Sequence, residues 1–331
     1  MKSTAIANSN IAIIKYWGKR DEGLILPTNN SISFTMDEQF STTTTVEFDS
    51  KLKNDELTLD GKIANEKERD RVTKFLSIIR NRARIKTFAK VVSKNTFPKG
   101  TGMASSASGF AALAAAASKA AGLSTESKEL SMLARLGSGS ASRSVLGGAV
   151  EWLKGEQKDG SDSYAVQLSP PERWKDLRNI ISIISSEEKK VSSRAGMADT
   201  VKTSKRFKKR LEAIGSRLET VRTAIKNNNF EAMAETIMED SDDMHACMAD
   251  TIPPIVYMND VSHAIVKAVK QFNDSEIKAA YTFDAGPNGH VYTTTKYVDE
   301  VKKLLAEIKG IKEVKESRIG DGVRFSEKHL F

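Results

Sequence analysis

The arrangement of apolar and polar residues changes along the chain, from strand-like runs near the start to helix-like spacing later. Two runs rich in β-branched and apolar residues, Thr42–Phe48 and Glu56–Leu59, are separated by a polar turn and predict a β-hairpin. Ile85–Val92 predicts a further strand. The stretch Ser108–Ala121 predicts a helix that ends at Gly122, because glycine adopts the left-handed conformation of a helix C-cap without strain.

The later part of the chain carries longer helical patterns. Apolar residues from Phe207 to Ile225 recur every three or four positions, which predicts one long amphipathic helix. The other predicted helices are Asn229–Cys247, Ser262–Gln271 and Tyr297–Ile308. The predicted strands are Gly148–Trp152, Tyr164–Leu168 and Asn179–Ser185, assigned to a second sheet, and Ala279–Phe283, His290–Thr294 and Val323–Phe325. Because strands and helices mix without a regular βαβ repeat, the predicted fold class is α+β.

The length and composition predict a globular protein of two lobes. At roughly 150 residues per domain, 331 residues divide in two, and we expect lobes at 1–174 and 175–331. The longest run of small and apolar residues, Gly109–Ala117, is too short for a membrane helix, and the first residues show no apolar leader. The single cysteine, Cys247, argues for a reducing compartment, so we expect a cytoplasmic protein.

The net charge of +8, from 51 Lys and Arg against 43 Asp and Glu, favours an anionic partner. A nucleic-acid-binding protein is one alternative, but aromatic residues make up only 7% of the chain and acidic residues interrupt the basic runs. We therefore expect no nucleic acid and no membrane as partner. A small phosphorylated molecule remains.

Two glycine- and serine-rich segments are candidates for binding phosphate. Phe97–Leu113 offers close backbone approach and serine hydroxyls before a helix N-terminus, without the spacing of a Walker A loop. Gly137–Gly148 contains Ser-Gly-Ser followed by Arg143, whose forked guanidinium suits a carboxylate or a phosphate. The alternatives are a buried Ala/Ser-rich helix for the first segment and a flexible turn with a surface arginine for the second.

Two further segments carry charged residues beside apolar strands. Asp284 ends an apolar strand before a glycine turn, where it is either a catalytic base or an ordinary turn aspartate. Lys15, Lys19 and Arg20 follow the apolar run that begins at Asn10, which suggests cations delivered to a cleft.

Other polar residues are interpreted as structural. The four histidines are too far apart in sequence to form a metal-ligand pattern, and Cys247 is predicted to be a small buried residue, although as the only cysteine it could link two subunits. The acidic run Glu239, Asp240, Asp242 and Asp243 is predicted to be a solvated helix terminus. The basic run that ends at Arg210 is predicted to be the solvated face of the long helix.

Seven motifs in order closely resemble the diphosphomevalonate decarboxylase family of the GHMP kinase superfamily. They read KYWGKRD, LPTNNSIS, FPKGTGMASSASGFAAL, GSGSASRSVLGGAVEW, VSSRAGM, PPIVYMND and AYTFDAGPN, and they span the chain from Asn10 to about Tyr292. The resemblance implies an S5-like (ribosomal protein S5 domain 2-like) N-terminal lobe and a ferredoxin-like C-terminal lobe. It also implies ATP-dependent decarboxylation of mevalonate 5-diphosphate to isopentenyl diphosphate, through phosphorylation of the 3-hydroxyl, and a homodimer.

The resemblance also implies roles for individual residues. Asp284 would be the catalytic base or positioning group, Lys15 its ionic partner, Asn10 an orienting residue and Arg143 the ligand of the substrate carboxylate. The groups that would grip the 5-diphosphate are Tyr16, Lys19, Ser138, Gly139, Ser140 and Arg194, with Ser192 and Ser193 as neighbours. The groups that would bind ATP are Gly100, Gly102, Met103, Ala104, Ser105 and Ser106.

Mg²⁺ is implied as a cofactor of ATP, although none of the motifs contains the acidic metal ligand usual in the superfamily. The alternative within the same scaffold is a kinase that phosphorylates the 3-hydroxyl without decarboxylation. The presence of Asp284, Lys15 and Arg143 together argues against that alternative.

Overall fold

A computed structural model of the chain describes residues 1–97, 105–184 and 191–331. We number the strands of these ranges in chain order: β1 Lys2–Asn8, β2 Asn10–Ile14, β3 Lys19–Asp21, β4 Leu26–Pro27, β5 Ser31–Thr35, β6 Ser41–Asp49, β7 Glu56–Leu59, β8 Lys62–Ile63, β9 Phe88–Asn95, β10 Ala149–Trp152, β11 Ala165–Ser169, β12 Leu177–Ile183, β13 Ala279–Phe283, β14 Gly289–Thr294, β15 Glu313–Ser317 and β16 Arg324–Ser326. The α-helices are α1 Glu66–Ala83, α2 Ser105–Ala120, α3 Ser127–Gly137, α4 Ser193–Thr203, α5 Arg206–Asn227, α6 Phe230–Ala249, α7 Asp260–Phe272 and α8 Val298–Ala306. None of these helices is both long enough and apolar enough to cross a bilayer.

The first sheet has six strands in the order β16-β1-β6-β9-β7-β8. The predicted hairpin of Thr42–Phe48 with Glu56–Leu59 is wrong, because β9 lies between β6 and β7 and pairs with both. The pairing of β7 with β9 is parallel, and a parallel neighbour requires a crossover connection, which α1 provides. The apolar alternation predicted both strands correctly, but it carried no information about which strand lies beside which.

Helix α2 packs against β1 and β6 through a face made largely of alanine. It begins three residues before the predicted helix Ser108–Ala121 and ends one residue earlier, at Ala120, and Gly122 beyond it has φ of +79°. Alanine has no long side chain to hold the helix away from the sheet, so Ala111, Ala112 and Ala114 are completely buried. The helix and its glycine C-cap are therefore confirmed.

Two four-stranded sheets complete the fold, with orders β11-β10-β5-β2 and β13-β14-β12-β15. The prediction of one sheet containing Gly148–Trp152, Tyr164–Leu168 and Asn179–Ser185 is wrong. β10 and β11 pair with each other, whereas β12 pairs with β14 and β15. Pro170 and Pro171 lie between β11 and β12, and because proline lacks the N–H that a sheet ladder needs, the chain leaves the first of these sheets there.

The sheet of β12–β15 is antiparallel throughout. Numbered within this half, its strand order is 2-3-1-4, which is the order of a ferredoxin-like unit. The predicted strands Ala279–Phe283 and His290–Thr294 form β13 and β14. The α+β class is confirmed, since antiparallel sheets and helices occur together with one parallel pair.

Helices α5 and α6 join the two halves through one hydrophobic cluster. The stripe predicted from Phe207 to Ile225 forms α5, and its residues Ile214, Leu218 and Val221 pack in the same cluster as Ile11 of β2. The last strand, β16, returns to the first sheet and pairs with β1. The division of the chain after Trp174 stays a prediction.

Candidate active site

A cavity of about 460 Å³ lies where the two halves meet. The twelve predicted site residues that the structure describes all line it: Asn10, Lys15, Tyr16, Lys19, Ser105, Ser106, Ser138, Gly139, Ser140, Arg143, Arg194 and Asp284. The remaining four, Gly100, Gly102, Met103 and Ala104, lie outside the described residues. Residues up to 274 positions apart thus meet in one place, with Asn10 and Lys19 at the starts of β2 and β3 and Ser105 at the start of α2.

The centre of the cavity is an ion pair between Lys15, just after β2, and Asp284, just after β13. The Lys15 ammonium donates to Oδ1 of Asp284 at 2.7 Å, and the two side chains are 1% and 28% exposed. Burial lowers the pKa of Lys15, while the Asp284 charge raises it. The carboxylate is therefore the partly accessible member of the pair, and it can meet a ligand in the cavity.

A histidine close to this pair carries no charge at neutral pH. His245 lies on α6 with Nε2 3.4 Å from the carbonyl oxygen of Phe283. Burial, together with the nearby Lys15 charge, lowers its pKa to about 4. The positive charge beside Asp284 thus comes from Lys15 alone among these two groups.

Arg143 is a buried cation held by neutral oxygens. Its Nε donates to Ser33 Oγ at 3.0 Å and to Asn10 Oδ1 at 3.2 Å, and its Nη1 donates to Ser31 Oγ at 2.5 Å. Burial lowers its pKa to about 10, so it stays charged at neutral pH. In the described parts of the chain Arg143 forms no salt bridge with a carboxylate. The Asp284 charge raises the pKa of Arg143 without a direct contact. Because a buried charge without a hydrogen-bonded counter-charge is costly, the arrangement suits a ligand that brings an anion.

Two cations of the cavity were missed by the sequence reasoning. Lys67 and Arg71 lie four residues apart on α1, and both line the cavity. Arg71 stacks over Phe110 at 4.3 Å and donates to the Gly137 carbonyl oxygen at 3.0 Å. The signal was present, because residues at i and i+4 share one helix face, but the acidic residues interleaved with them made the segment look like mixed surface.

The lining is strongly positive. Its cations are Lys15, Lys19, Lys67, Arg71, Arg143 and Arg194, and its only carboxylate among the described residues is that of Asp284. Arg194 donates to the same Gly137 oxygen as Arg71, at 3.1 Å. Lys19 forms a 2.5 Å pair with Glu22, whose side chain is largely exposed. A ligand with several negative charges fits such a lining better than a neutral one.

Serine hydroxyls and a glycine also line the cavity. Ser138 Oγ lies 3.2 Å from Ser106 Oγ and 3.4 Å from Ser140 Oγ. A Cβ on Gly139 would lie 2.8 Å from both the Tyr16 and Trp152 rings, which pack edge to face. Glycine is therefore required there for the serines to face the cavity beside an aromatic wall.

A second cavity, of about 1070 Å³, lies beside the ends of β7 and β9. Its lining includes Leu59, Ile63, Asn95 and Phe97. Phe97 lines this cavity, whereas Ser105 lines the first one.

The acidic run on α6 is not the solvated helix terminus predicted from the sequence. Asp240 is completely buried in the middle of the helix and forms salt bridges with Arg210 and Arg217 of α5. Arg210 is 1% exposed, so it does not belong to the solvated face predicted for it. The predictions fail at Asp240 and Arg210, because local charge density does not reveal that oppositely charged helix faces pack together, whereas Lys208 and Lys209 are exposed as predicted. Cys247 is buried, as predicted.

Comparisons with known proteins cover almost the whole chain. A family described as "Diphosphomevalonate decarboxylase-like N-terminal domain" matches residues 7–165, and one described as "Mevalonate 5-diphosphate decarboxylase C-terminal domain" matches residues 179–326. The diphosphomevalonate decarboxylase of Ganoderma lucidum is 41% identical over 326 residues, covering 92% of this chain and 82% of its own length. That of Bos taurus is 41% identical over 324 residues, covering 92% and 79%.

Solved structures show the same similarity. Mevalonate diphosphate decarboxylase from Staphylococcus aureus superposes with a TM-score of 0.93 at 38% identity, over 98% of both chains. The enzyme from Enterococcus faecalis superposes with a TM-score of 0.92 at 38% identity, over 99% of both chains. A structure described as "MDDEF in complex with MVAPP, AMPPCP and Magnesium" gives 0.92 at 39% identity, again over 99% of both. The similarity thus extends through both halves and the cavity between them.

Proposed function

The chain belongs to the diphosphomevalonate decarboxylase family, and we propose that its positive cavity binds mevalonate 5-diphosphate beside ATP. The reaction converts these to isopentenyl diphosphate, ADP, phosphate and CO₂, within the two-lobed GHMP kinase fold. The observation that carries this proposal is the Lys15–Asp284 pair at 2.7 Å, with Arg143, which forms no salt bridge within the described residues, lining the same cavity.

Asp284 is the group that accepts the proton of the 3-hydroxyl, or that positions this hydroxyl, as ATP phosphorylates it. The accessible carboxylate fits that task, and the ammonium of Lys15 keeps it ionised. The same ammonium stabilises negative charge on the transferred phosphoryl group. Asn10, which donates to Ser144 Oγ at 2.7 Å and accepts from Arg143, orients the groups around the hydroxyl.

Arg143 holds the substrate carboxylate. Loss of the 3-phosphate and of CO₂ leaves a carbon–carbon double bond, so the carbon–carboxylate bond must be held in line with the departing phosphate. Three neutral oxygens hold the guanidinium in one orientation, and the incoming carboxylate supplies the counter-charge it lacks. The substrate thus completes the electrostatics of the site.

The 5-diphosphate is bound by cationic and hydroxyl side chains of the cavity lining, which we call the positive wall. The proposed ligands are Tyr16, Lys19, Ser138, Gly139, Ser140 and Arg194, with Arg71 added from the structure and Ser192 and Ser193 beside them. Arg71 and Arg194 share one carbonyl acceptor, so their charges are held close together, where a doubly charged diphosphate is the natural partner.

ATP places its phosphates at the N-terminus of α2. Ser105 and Ser106 open that helix, whose free N–H groups and dipole favour anions, and the predicted loop with Gly100, Gly102, Met103 and Ala104 precedes them. The second cavity, whose lining includes Phe97, takes the nucleoside.

Magnesium fits this site as a cofactor of the nucleotide. The described residues contain no group of three or more His, Cys, Asp or Glu that could hold a metal by themselves. Mg²⁺ commonly binds through one or two protein oxygens together with substrate phosphates. The hydroxyls of Ser105 and Ser106 are the described groups that would hold it beside the phosphates, and it would supply charge neutralisation there.

Two further expectations come from the sequence, the homodimer from the family resemblance and the cytoplasm from the single cysteine. The protein forms a homodimer, and it works in the cytoplasm. Sedimentation velocity of the purified protein tests the first expectation.

The proposed reaction is tested by product analysis with purified protein, ATP and mevalonate 5-diphosphate. We expect CO₂ and ADP to be released in equal amounts, and mevalonate 5-phosphate to react far more slowly, because it offers one phosphate fewer to the positive wall. A phosphorylated product that accumulates without CO₂ would identify a kinase on the same scaffold instead.

Arg71 gives a test of the diphosphate wall. Replacing Arg71 by glutamine is expected to raise KM for mevalonate 5-diphosphate about tenfold while kcat stays within about twofold, since the contact is the same before and during the reaction. Arg69→Gln is the matched control, because Arg69 is an exposed residue of the same helix that does not line the cavity. Equal KM values for both variants would remove Arg71 from the substrate site.

A further inference from the structure

The amide of Lys15 is bound by a carboxylate that lies outside the cavity. β2 is an edge strand, and Lys15 follows directly after it. The Lys15 N–H donates to Oδ2 of Asp240 at 2.7 Å, and its carbonyl oxygen accepts from Asn29 Nδ2 at 3.0 Å. Side chains rather than a strand partner thus fix the main chain from which the Lys15 side chain extends to Asp284.

Asp240 is itself held rigidly. Arg210 Nη2 lies 2.9 Å from its Oδ1 and 3.0 Å from its Oδ2, and Arg217 Nη1 lies 3.4 Å from Oδ1. The two arginines are seven residues apart on α5 and therefore present the same face, two turns apart, to α6. The carboxylate cannot rotate away from the Lys15 amide without breaking these ion pairs.

We propose that Asp240 is a positioning residue of the active site, which holds the Lys15 main chain and gives the buried Lys15 ammonium a second negative neighbour. The inference rests on the proposed roles of Lys15 and Asp284. Asp240 lines neither cavity, so it acts on the reaction only through Lys15.

Among the described residues, five charged or titratable groups act on Lys15. These are Asp284 after β13, Asp240 on α6, Arg143 in the segment Gly139–Val145, His245 on α6 and His290 on β14. Asp284 and Asp240 raise the pKa of Lys15, whereas burial and Arg143 lower it. Burial lowers the pKa of both histidines to about 4, so neither changes its charge in alkaline solution. Removing the Asp240 charge therefore makes Lys15 lose its proton at a lower pH.

Asp243 supplies a matched control on the same helix. It accepts from Arg210 Nη1 at 3.2 Å and from Arg217 Nη1 at 2.7 Å, so it binds the same two arginines. It makes no hydrogen bond with Lys15 and is not among the charges that shift the pKa of Lys15. Asp243→Asn thus removes one negative charge from the arginine cluster without touching the active-site lysine.

The experiment is the pH dependence of kcat/KM for CO₂ release by the wild type, Asp240→Asn and Asp243→Asn. We expect the alkaline limb of Asp240→Asn to move to lower pH by about half a unit or more, and its kcat to fall about tenfold with KM for ATP within about twofold. Asp243→Asn should keep the wild-type alkaline limb. The same limb in both asparagine variants would overturn the inference. Arg143 also has a pKa of about 10, but Asp240 is not among the charges acting on it, so a displaced limb reports Lys15.

Asp240→Glu decides the question if Asp240→Asn does not fold, because it keeps the charge that the arginines need. The carboxylate is displaced by one methylene group, so we expect kcat to fall severalfold with the alkaline limb unchanged. A wild-type kcat, or a displaced limb, would overturn the inference. Failure of the proposed function is separate from this outcome, since it would appear as normal turnover when Asp284 is replaced.

Discussion

Replacing Asp284 by asparagine is expected to lower kcat for CO₂ release by about a thousandfold or more, which corresponds to about 4 kcal/mol of transition-state stabilisation. Asparagine has nearly the same shape, but it can neither accept the hydroxyl proton nor offset the charge of Lys15, which lies 2.7 Å away. Because ATP is proposed to bind at the start of α2 and not through Asp284, its Kd should change by less than about threefold. Steady-state CO₂ release and calorimetric titration with a non-hydrolysable ATP analogue measure the two quantities.

Glu22→Gln is the matched control for this substitution. Glu22 also pairs with an active-site lysine, Lys19, at 2.5 Å, but its carboxylate is largely exposed and does not line the cavity. Exposed ion pairs contribute little to stability, so turnover should stay within a few-fold of the wild type. Turnover by Asp284→Asn at the level of this control would remove Asp284 from the mechanism.

Replacing Arg143 by lysine is expected to cost about a hundredfold to a thousandfold in kcat/KM for mevalonate 5-diphosphate. Lysine keeps the charge but loses the fork that donates to Ser31, Ser33 and Asn10, and so it loses the fixed orientation. Since the carboxylate is the group that leaves as CO₂, poor orientation should reduce kcat as well as raise KM. The measurement compares CO₂ release with ADP release, and ADP formed in excess of CO₂ would show that phosphorylation continues without elimination.

Arg135→Lys separates this effect from a general loss of packing. Arg135 is also a buried arginine whose pKa burial lowers to about 10, and its Nη1 donates to the carbonyl oxygens of Gly160 and Ser163. It does not line the cavity. Arg135→Lys should therefore lower the melting temperature without changing the ratio of CO₂ to ADP. Identical kinetics in the two variants would contradict the role proposed for Arg143.

Carboxylates of the protein neutralise one buried cation of this site, Lys15, and the substrate carboxylate is proposed to neutralise the other, Arg143. Asp284 compensates Lys15 from the cavity side and Asp240 compensates it from the helix side, whereas Arg143 has no carboxylate partner in the described parts of the chain. The free enzyme thus keeps one strong cation available where the substrate carboxylate is proposed to lie. This placement favours a ligand with a negative charge at both ends over a simple diphosphate.

Local features of the fold were predictable from the sequence because neighbouring residues determine them. The apolar stripe from Phe207 to Ile225 defines one helix face, and Gly122 provides the left-handed conformation that ends α2. The site residues were predictable for another reason. Seven motifs resemble those of a known family, the resemblance implied one shared site, and the described members do line one cavity.

The tertiary structure alone decided which elements became neighbours. Alternation of apolar residues states which face of a strand is buried, but its N–H and C=O groups can pair with any strand edge. The pairings of β7 with β9 and of β16 with β1 therefore depended on the crossover helix and on how the chain returns. In the same way, the sequence pattern led to Arg71 and Asp240 both being interpreted as surface charges. Only packing against α2, α3 and α5 turned one into a cavity cation and the other into a buried anchor for Lys15, because burial is a property of the assembled fold.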